Sequence, residues 1–207
     1  MNTQFLPTLL TTASLLLAGC LPESKNPLST PATSRVDSRI EGVYVQRKEK
    51  SDEDPSYWHF HYRGASPGAD KRARLTPWIE ILGVSHEKQR GLDTAHYRAL
   101  ATHLGGYDYL SFIDLDPNGG LIGDKNYSFA RYEVNWRGDL RIWLVDTDAL
   151  ADAVKAGKLR GKVRRSNGRI TSVLLTDTTA RLAAFVAASD PARLFGKEPM
   201  VFRRLAR

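Results

Sequence analysis

Short segments in which apolar and polar residues alternate fill most of the chain between residues 40 and 146. Residues 57–63 show the pattern most clearly, because their aromatic side chains would lie on one face of a strand and their histidines on the other. The aromatic residues are Trp58, Phe60 and Tyr62, and the histidines are His59 and His61. Similar strand segments are predicted at residues 40–45, 75–85, 107–115, 126–136 and 139–145. Many short strands joined by turns favour a barrel or a strongly bent sheet.

Two helices are predicted in the last third of the chain. Thr147 can cap a helix that runs to Ala156, with acidic residues in its first turn and Lys155 near its end, as the helix dipole favours. A second helix is predicted over residues 178–188. Strands are predicted at residues 169–175 and 201–205.

The predicted fold class is mainly β (α+β). We expect an antiparallel β-barrel, or a strongly bent sheet, of seven or eight strands with two or three helices packed on it. This fold would occupy residues 39–207 as one β-rich domain. The pattern between Glu87 and Gly106 is ambiguous, since residues 94–104 could also form a helix.

The first 19 residues carry no charged side chain and include a short, dense apolar run at residues 15–18. This run is too short to be a permanent membrane helix, which needs about 20 apolar residues. It has the length of the apolar region of a signal peptide, and small residues follow it. Residues 1–19 are therefore predicted to be a signal peptide. The start of the chain, Met1 to Phe5, lacks the usual Lys or Arg.

The tetrapeptide Leu17-Ala18-Gly19-Cys20 resembles the lipobox of bacterial lipoproteins. The resemblance implies diacylglycerol on the Cys20 sulfur, cleavage before Cys20 and acylation of the new amine. It also implies the outer membrane, because Leu21 stands where proteins of this class retained at the inner membrane commonly have Asp. The alternative is an ordinary secretory signal that happens to end at a cysteine. Cys20 is the only cysteine, so the fold cannot contain an intramolecular disulfide.

Residues 20–38 are rich in proline, serine and threonine and poor in large apolar groups. Such a composition predicts a flexible tether between the lipid and the domain. The chain from Lys155 onward carries 13 Lys and Arg residues against three acidic residues. This basic third favours an anionic lipid surface or an acidic protein as partner, although the same residues could simply solvate helix faces and strand edges. An exported, lipid-anchored chain is a poor match for a nucleic-acid-binding function.

Oxygen ligands in residues 114–119 resemble part of a calcium-binding loop. Asp114, Asp116 and Asn118 have the spacing of the first three ligands, and a turning glycine follows them. The last ligand position of such a loop is Lys125, although Asp124 lies beside it. A Pro-Asn-Gly-Gly turn between two strands explains the same residues. His59 and His61 are a second candidate metal pair, or the polar face of a strand.

The sequence predicts no catalytic residues, because it lacks a thiol after lipidation and lacks a Gly-x-Ser-x-Gly motif. The opening Glu41-Gly42-Val43-Tyr44 resembles the first strand of lipocalin-like barrels. That resemblance implies a ligand cavity, and the candidate lining aromatics are Trp58, Phe60, Tyr62, Trp78, Phe129 and Trp143. We therefore expect a non-enzymatic binding role, for an apolar small molecule or for a protein partner as in an inhibitor or immunity-type protein. The alternative is a hydrolase acting on cell-wall or lipid material.

Overall fold

The computed structural model describes residues 21–47, 54–62, 76–87, 91–116, 118–121 and 126–206. The predicted signal peptide and Cys20 lie outside these ranges. The strands are β1 Glu23–Ser24, β2 Gly42–Gln46, β3 Ser56–Tyr62, β4 Trp78–Glu87, β5 Gly91–Leu104, β6 Tyr107–Asp114, β7 Ser128–Val134, β8 Leu140–Leu144, β9 Gly161–Ser166, β10 Arg169–Leu175 and β11 Met200–Ala206. The helices are α1 Thr147–Lys155, α2 Thr179–Ala188 and α3 Pro191–Leu194. No helix in the described ranges is long and apolar enough to cross a membrane.

Eight strands form a closed antiparallel barrel in the order β11-β2-β3-β4-β5-β6-β7-β8. Strand β11 closes the barrel, because Phe202 lies opposite Gln46 of β2 and also opposite Leu140 of β8. The prediction of an antiparallel barrel with helices packed on it is confirmed. Hydrogen bonds between neighbouring strands run around the whole barrel, which leaves these eight strands without an unpaired edge.

The side chains that point into the barrel form one buried cluster. Its members are Ile40, Tyr44, Phe60, Tyr62, Ile79, Ile81, Ala99, Ala101, Leu110, Ala130, Tyr132, Leu140, Ile142 and Phe202. Each Ile, Leu or Phe side chain in this cluster contributes about 1.5–3 kcal/mol when it is fully removed from water. Packing alone can therefore hold together a domain that has no disulfide.

A second buried cluster lies outside the barrel, between its wall and the helices. Tyr109, Phe129 and Trp143 point outward from β6, β7 and β8 into this cluster, while Leu150 of α1 and Leu182 of α2 enter it from the other side. The sheet β1-β10-β9 also joins it through strand residues that include Val173. One half of the barrel wall is thus covered by helices and by the second sheet.

Residues 91–104, within the region that the sequence left ambiguous, form strand β5 and not a helix. Strand β5 pairs with β4 along one edge and with β6 along the other. The side chains of β5 alternate between the two faces of the barrel wall. Ala99 and Ala101 lie inside the barrel, while Thr102 faces the chain segment outside it. Helix α1 is capped by Asp146, one residue before the predicted cap, and the Asp146 side chain accepts a hydrogen bond from the backbone N–H of Ala149.

Residues 21–38, for which the composition predicts a flexible tether, lie packed along the barrel. Leu28 is buried in the outer cluster, and its backbone N–H donates to the Ser111 hydroxyl at 2.9 Å. The hydroxyls of Ser29 and Thr102 are 2.5 Å apart, and the Arg35 N–H donates to the Ala101 carbonyl. Hydroxyl and backbone groups on the barrel wall thus replace the water that a polar segment would otherwise need.

Candidate binding surfaces

The six aromatic residues predicted to line a cavity divide between the two faces of the barrel wall. Trp58, Phe60 and Tyr62 point into the barrel, where they pack in its core. Phe129 and Trp143 point outward and are buried beneath the helices. Trp78 lies on the outer face beside Arg98, whose guanidinium is 6.0 Å from the Trp78 ring centre. The last three residues therefore do not line the barrel interior, because side chains on one strand alternate between the two faces.

The middle of the barrel is filled by side chains. Phe60 packs edge-on against Tyr44, with ring centres 5.4 Å apart, and against Phe202 at 6.1 Å. Tyr44, Phe60 and Leu110 have almost no exposed surface. These contacts are those of a close-packed core and leave the interior to side chains rather than to a ligand.

One end of the barrel is closed by a network of charged residues around Asp37. The Asp37 carboxylate is buried and accepts hydrogen bonds from Arg35 at 2.9 Å, from Arg39 at 2.6 Å and from the Tyr132 hydroxyl at 2.7 Å. Burial raises the pKa of this carboxyl, but the hydrogen bonds from Arg39, Tyr132 and Arg35 outweigh it and hold the pKa well below its usual range. Asp108 forms a further ion pair with Arg39. Asp37 lies within the segment whose composition predicts a flexible tether, so it was not among the predicted site residues.

The other end of the barrel presents half-buried aromatic rings. Trp58 stacks on Tyr97 with ring centres 6.4 Å apart, and Tyr97 meets Phe112 edge-on at 5.8 Å. Trp58 also lies directly over Gly83, where a Cβ atom would stand 2.7 Å from the indole ring. Burial is the main cause of the raised pKa of Tyr97. These rings form a packed floor at the end of the barrel.

The outer wall of β3, β4 and β5 exposes apolar side chains that form what we call the wall patch: Tyr57, Leu82, Val84 and Leu92. Tyr57 of β3 lies directly opposite Val84 of β4, and both belong to the outward-facing set. Half of Tyr57 and three quarters of Leu92 are exposed to solvent. Within the described residues, the helices and the second sheet pack on the opposite half of the barrel. A grouped set of exposed apolar residues is typical of an interaction surface.

Charged and imidazole groups border the wall patch. On one side Glu80 accepts from His96 and from Arg98, at 2.9 and 3.0 Å. On the other side His86 lies 2.9 Å from Asp54. An apolar centre with a polar rim is the usual anatomy of a protein interface. The other ring nitrogen of His96, Nδ1, lies 3.3 Å from the Asp116 carbonyl oxygen, so both ring nitrogens have a protein partner.

Two of the predicted calcium ligands, Asp116 and Asn118, lie in a turn, whereas Asp114 ends strand β6. Asp116 accepts hydrogen bonds from the backbone N–H groups of Asn118 and Gly120, at 2.8 and 2.9 Å. Asp114 lies in β6 opposite Tyr97 of β5. In the part of the chain that is described, no three His, Cys, Asp or Glu residues are grouped to hold a metal ion. Residues 124 and 125, which bear on this motif, lie outside the described ranges.

The two histidines predicted as a metal pair stack on each other, with ring centres 4.7 Å apart. They lie on the outer face of β3, opposite in orientation to Phe60.

A surface groove of about 430 Å³ runs on the helical side of the molecule, between α1 and the end of α2. The residues that line it include Ala153, Phe185, Asp152 and Lys158.

The outer face of the second sheet is basic. Lys162 and Arg164 of β9 are exposed and alternate with Val163, which packs against the outer cluster. Arg165 and Arg169 flank the turn that joins β9 to β10 and are also exposed.

No family model, curated protein or solved structure matches the chain.

Proposed function

We propose that this chain is a lipid-anchored lipoprotein of the bacterial envelope that binds a protein partner through the wall patch and catalyses no reaction. The observation that supports the partner is the exposed apolar set on β3, β4 and β5, beside a barrel whose interior is already packed. A carrier of small apolar molecules needs a cavity of several hundred Å³ in place of that packing. The lipobox-like sequence at residues 17–20 supports the anchor.

The partner suited to this surface is a protein with its own apolar patch surrounded by charged groups. Tyr57, Leu82 and Val84 are the apolar part of the wall patch, and His59 and His96 lie opposite Leu82 on the two neighbouring strands. Glu80 with Arg98 and Asp54 with His86 lie at its borders. Apolar contacts at the centre would supply most of the affinity, and the bordering charges would orient the partner. An inhibitor or immunity-type protein acts through a surface of this kind.

The anchor is tested by cell fractionation of Cys20→Ala. Two or three acyl chains, at about 0.8 kcal/mol per buried methylene, hold a protein on a membrane. We expect the wild-type protein in the membrane pellet and the variant in the soluble fraction. The intact mass of the wild type should show the lipid and the loss of residues 1–19. An unmodified thiol with the leader still present would contradict the anchor.

The partner is tested by placing a photocrosslinking amino acid at Leu82 in the lipidated protein and irradiating intact cells. We expect one adduct of defined mass, which disappears when Val84→Glu is added beside it, because a buried charge disrupts an apolar interface. The matched position is Arg203, which is exposed on β11 away from the wall patch.

The partner identified from the Leu82 adduct is then purified, and its binding is measured directly. Val84→Glu should weaken binding by about tenfold or more, which corresponds to 1.4 kcal/mol. The same adduct from Leu82 and Arg203 would contradict the proposed surface. An adduct that contains only a second copy of this chain would contradict a separate partner.

A further inference from the structure

We propose that the outer face of the sheet β1-β10-β9 lies against anionic lipid headgroups of the membrane that holds the anchor. This rests on the lipid anchor of the proposed function. It goes beyond that function because it assigns a second membrane contact and an orientation to the folded domain. The observation behind it is that the strand next to Cys20 belongs to the same sheet as the exposed cations of β9.

Strand β1, which begins three residues after Cys20, shares one row of this sheet with the exposed cations. Glu23 of β1 lies opposite Leu174 of β10, and Leu174 lies opposite Lys162 of β9. Neighbouring strands are about 4.8 Å apart, so the Cα atoms of Glu23 and Lys162 are about 10 Å apart. Cys20 precedes Glu23 by three residues, which span at most about 11 Å. The acyl chains therefore leave the protein within about 20 Å of Lys162.

The two faces of the sheet differ in chemistry. Ser24 and Leu175 are buried, and Val163 packs on the outer cluster, so this face looks toward the helices. Lys162 and Arg164 alternate with these residues and point to the opposite, exposed face. Glu23 is the one acidic residue in the three strands, and it accepts a hydrogen bond from Asn126. The exposed face therefore has a net positive charge.

A bilayer containing anionic lipids attracts such a face once the anchor brings it within reach. Each Lys or Arg near an anionic surface strengthens binding by about fivefold, and the attraction decays within a Debye length of about 8–10 Å. Because the anchor already holds Lys162 within about 20 Å of the acyl chains, the nearest anionic surface is the membrane itself. The cations would then rotate the domain until the sheet faces the lipid.

The orientation can be measured by energy transfer to labelled lipid headgroups from a dye at Ser166, the last residue of β9, at the turn to β10. The Cys20 sulfur carries lipid in this proposal, so Ser166→Cys introduces the one reactive thiol. The lipidated protein is reconstituted in vesicles of phosphatidylcholine alone or mixed with phosphatidylglycerol. We expect higher transfer efficiency in the phosphatidylglycerol vesicles, and we expect high salt to remove the difference.

Charge-reversal variants distinguish an effect of the cations on β9 from an effect of the net charge of the protein. Lys162→Glu with Arg164→Glu should abolish the difference between the two vesicles. Arg47→Glu with Arg203→Glu changes the net charge equally at exposed positions beside β2 and on β11, and this control should retain the difference. Equal transfer in both vesicles for the wild type, or equal loss in both double variants, would overturn the orientation.

The anchor is measured on the same samples by flotation with phosphatidylcholine vesicles. A protein that floats with both vesicle types but shows equal transfer keeps its anchor, and only the orientation fails. A protein that does not float with phosphatidylcholine lacks the anchor, and the proposed function itself fails.

Discussion

The guanidinium carbon of Arg204 lies 4.9 Å from the centre of the Tyr44 ring. Arg204 comes from β11 and Tyr44 from β2, the two strands that close the barrel. The Arg204 guanidinium also donates to the backbone carbonyls of Arg39 and Glu41, and to that of Gly138 at 2.9 Å. One side chain thus joins the entry to the barrel, its closing strand and the β7–β8 turn.

Replacing Arg204 with Ala should lower the free energy of unfolding by about 2–4 kcal/mol, because three backbone carbonyls lose a charged donor and the buried Tyr44 loses its cation–π contact. Urea unfolding followed by tryptophan fluorescence measures the change. Arg203→Ala is the control, since Arg203 is exposed on the outer face of the same strand and should change stability by less than about 0.5 kcal/mol. Equal effects of the two substitutions would contradict the role of Arg204.

Asp37 should make stability depend on acidity. Its pKa is lowered in the folded protein, so its stabilising contribution is complete above the unfolded value of about 3.9 and is lost as the pH falls toward the folded value. We expect the urea concentration at the unfolding midpoint to decrease as the pH is lowered below about 4. The Asp37→Asn variant should show a smaller decrease. At pH 7 the same substitution should cost about 2–3 kcal/mol through its charged hydrogen bonds. Asp152→Asn, on the exposed side of α1, should leave the acid dependence intact.

Gly83→Ala should destabilise the barrel by about 1–3 kcal/mol, since the added Cβ would stand 2.7 Å from the Trp58 ring and the indole must move. The displaced ring should also shift the tryptophan emission spectrum of the folded protein. Gly196→Ala is the matched control, because its Cβ would meet its nearest neighbour at an ordinary 3.7 Å. An unchanged spectrum and midpoint for Gly83→Ala would show that Trp58 does not cover this position.

Leu28→Ala tests whether residues 21–38 belong to the folded domain. Leu28 is 2% exposed in the outer cluster, so its truncation should cost about 2–5 kcal/mol. Val36→Ala, in the same segment but 44% exposed, should have little effect. Thermal unfolding of the two variants provides the comparison. If Leu28→Ala matches the wild type, the segment is a tether after all.

Strand alternation predicted most of the barrel, because residues such as Trp58 and Phe60 can be assigned to faces from their spacing alone. It failed for β5, where Ala99, Leu100, Ala101 and Thr102 are all buried. A strand covered on both faces loses the two-residue period that marks a half-exposed strand. The closure of β11 onto β2 joins residues far apart in sequence, which local patterns do not encode.

The candidate surfaces were less predictable than the fold. The buried positions of Asp37 and Leu28 could not be predicted from composition. The proline- and serine-rich segment around them forms its hydrogen bonds with barrel strands rather than with water. The alternation of opposite charges at Arg35, Asp37 and Arg39 was the available signal for the closed end. His59 marked the outer face of β3 correctly, but the apolar character of that face depends on Leu82 and Val84 of the neighbouring strand.

The pairing of β11 with both β2 and β8 makes assembly depend on the order in which the chain is delivered. Strand β11 is synthesised after the other seven barrel strands, so β2 and β8 keep open edges until it arrives. The barrel therefore closes only when β11 is available, and nonsense mutations shortly before residue 200 should yield protein that is degraded rather than accumulated.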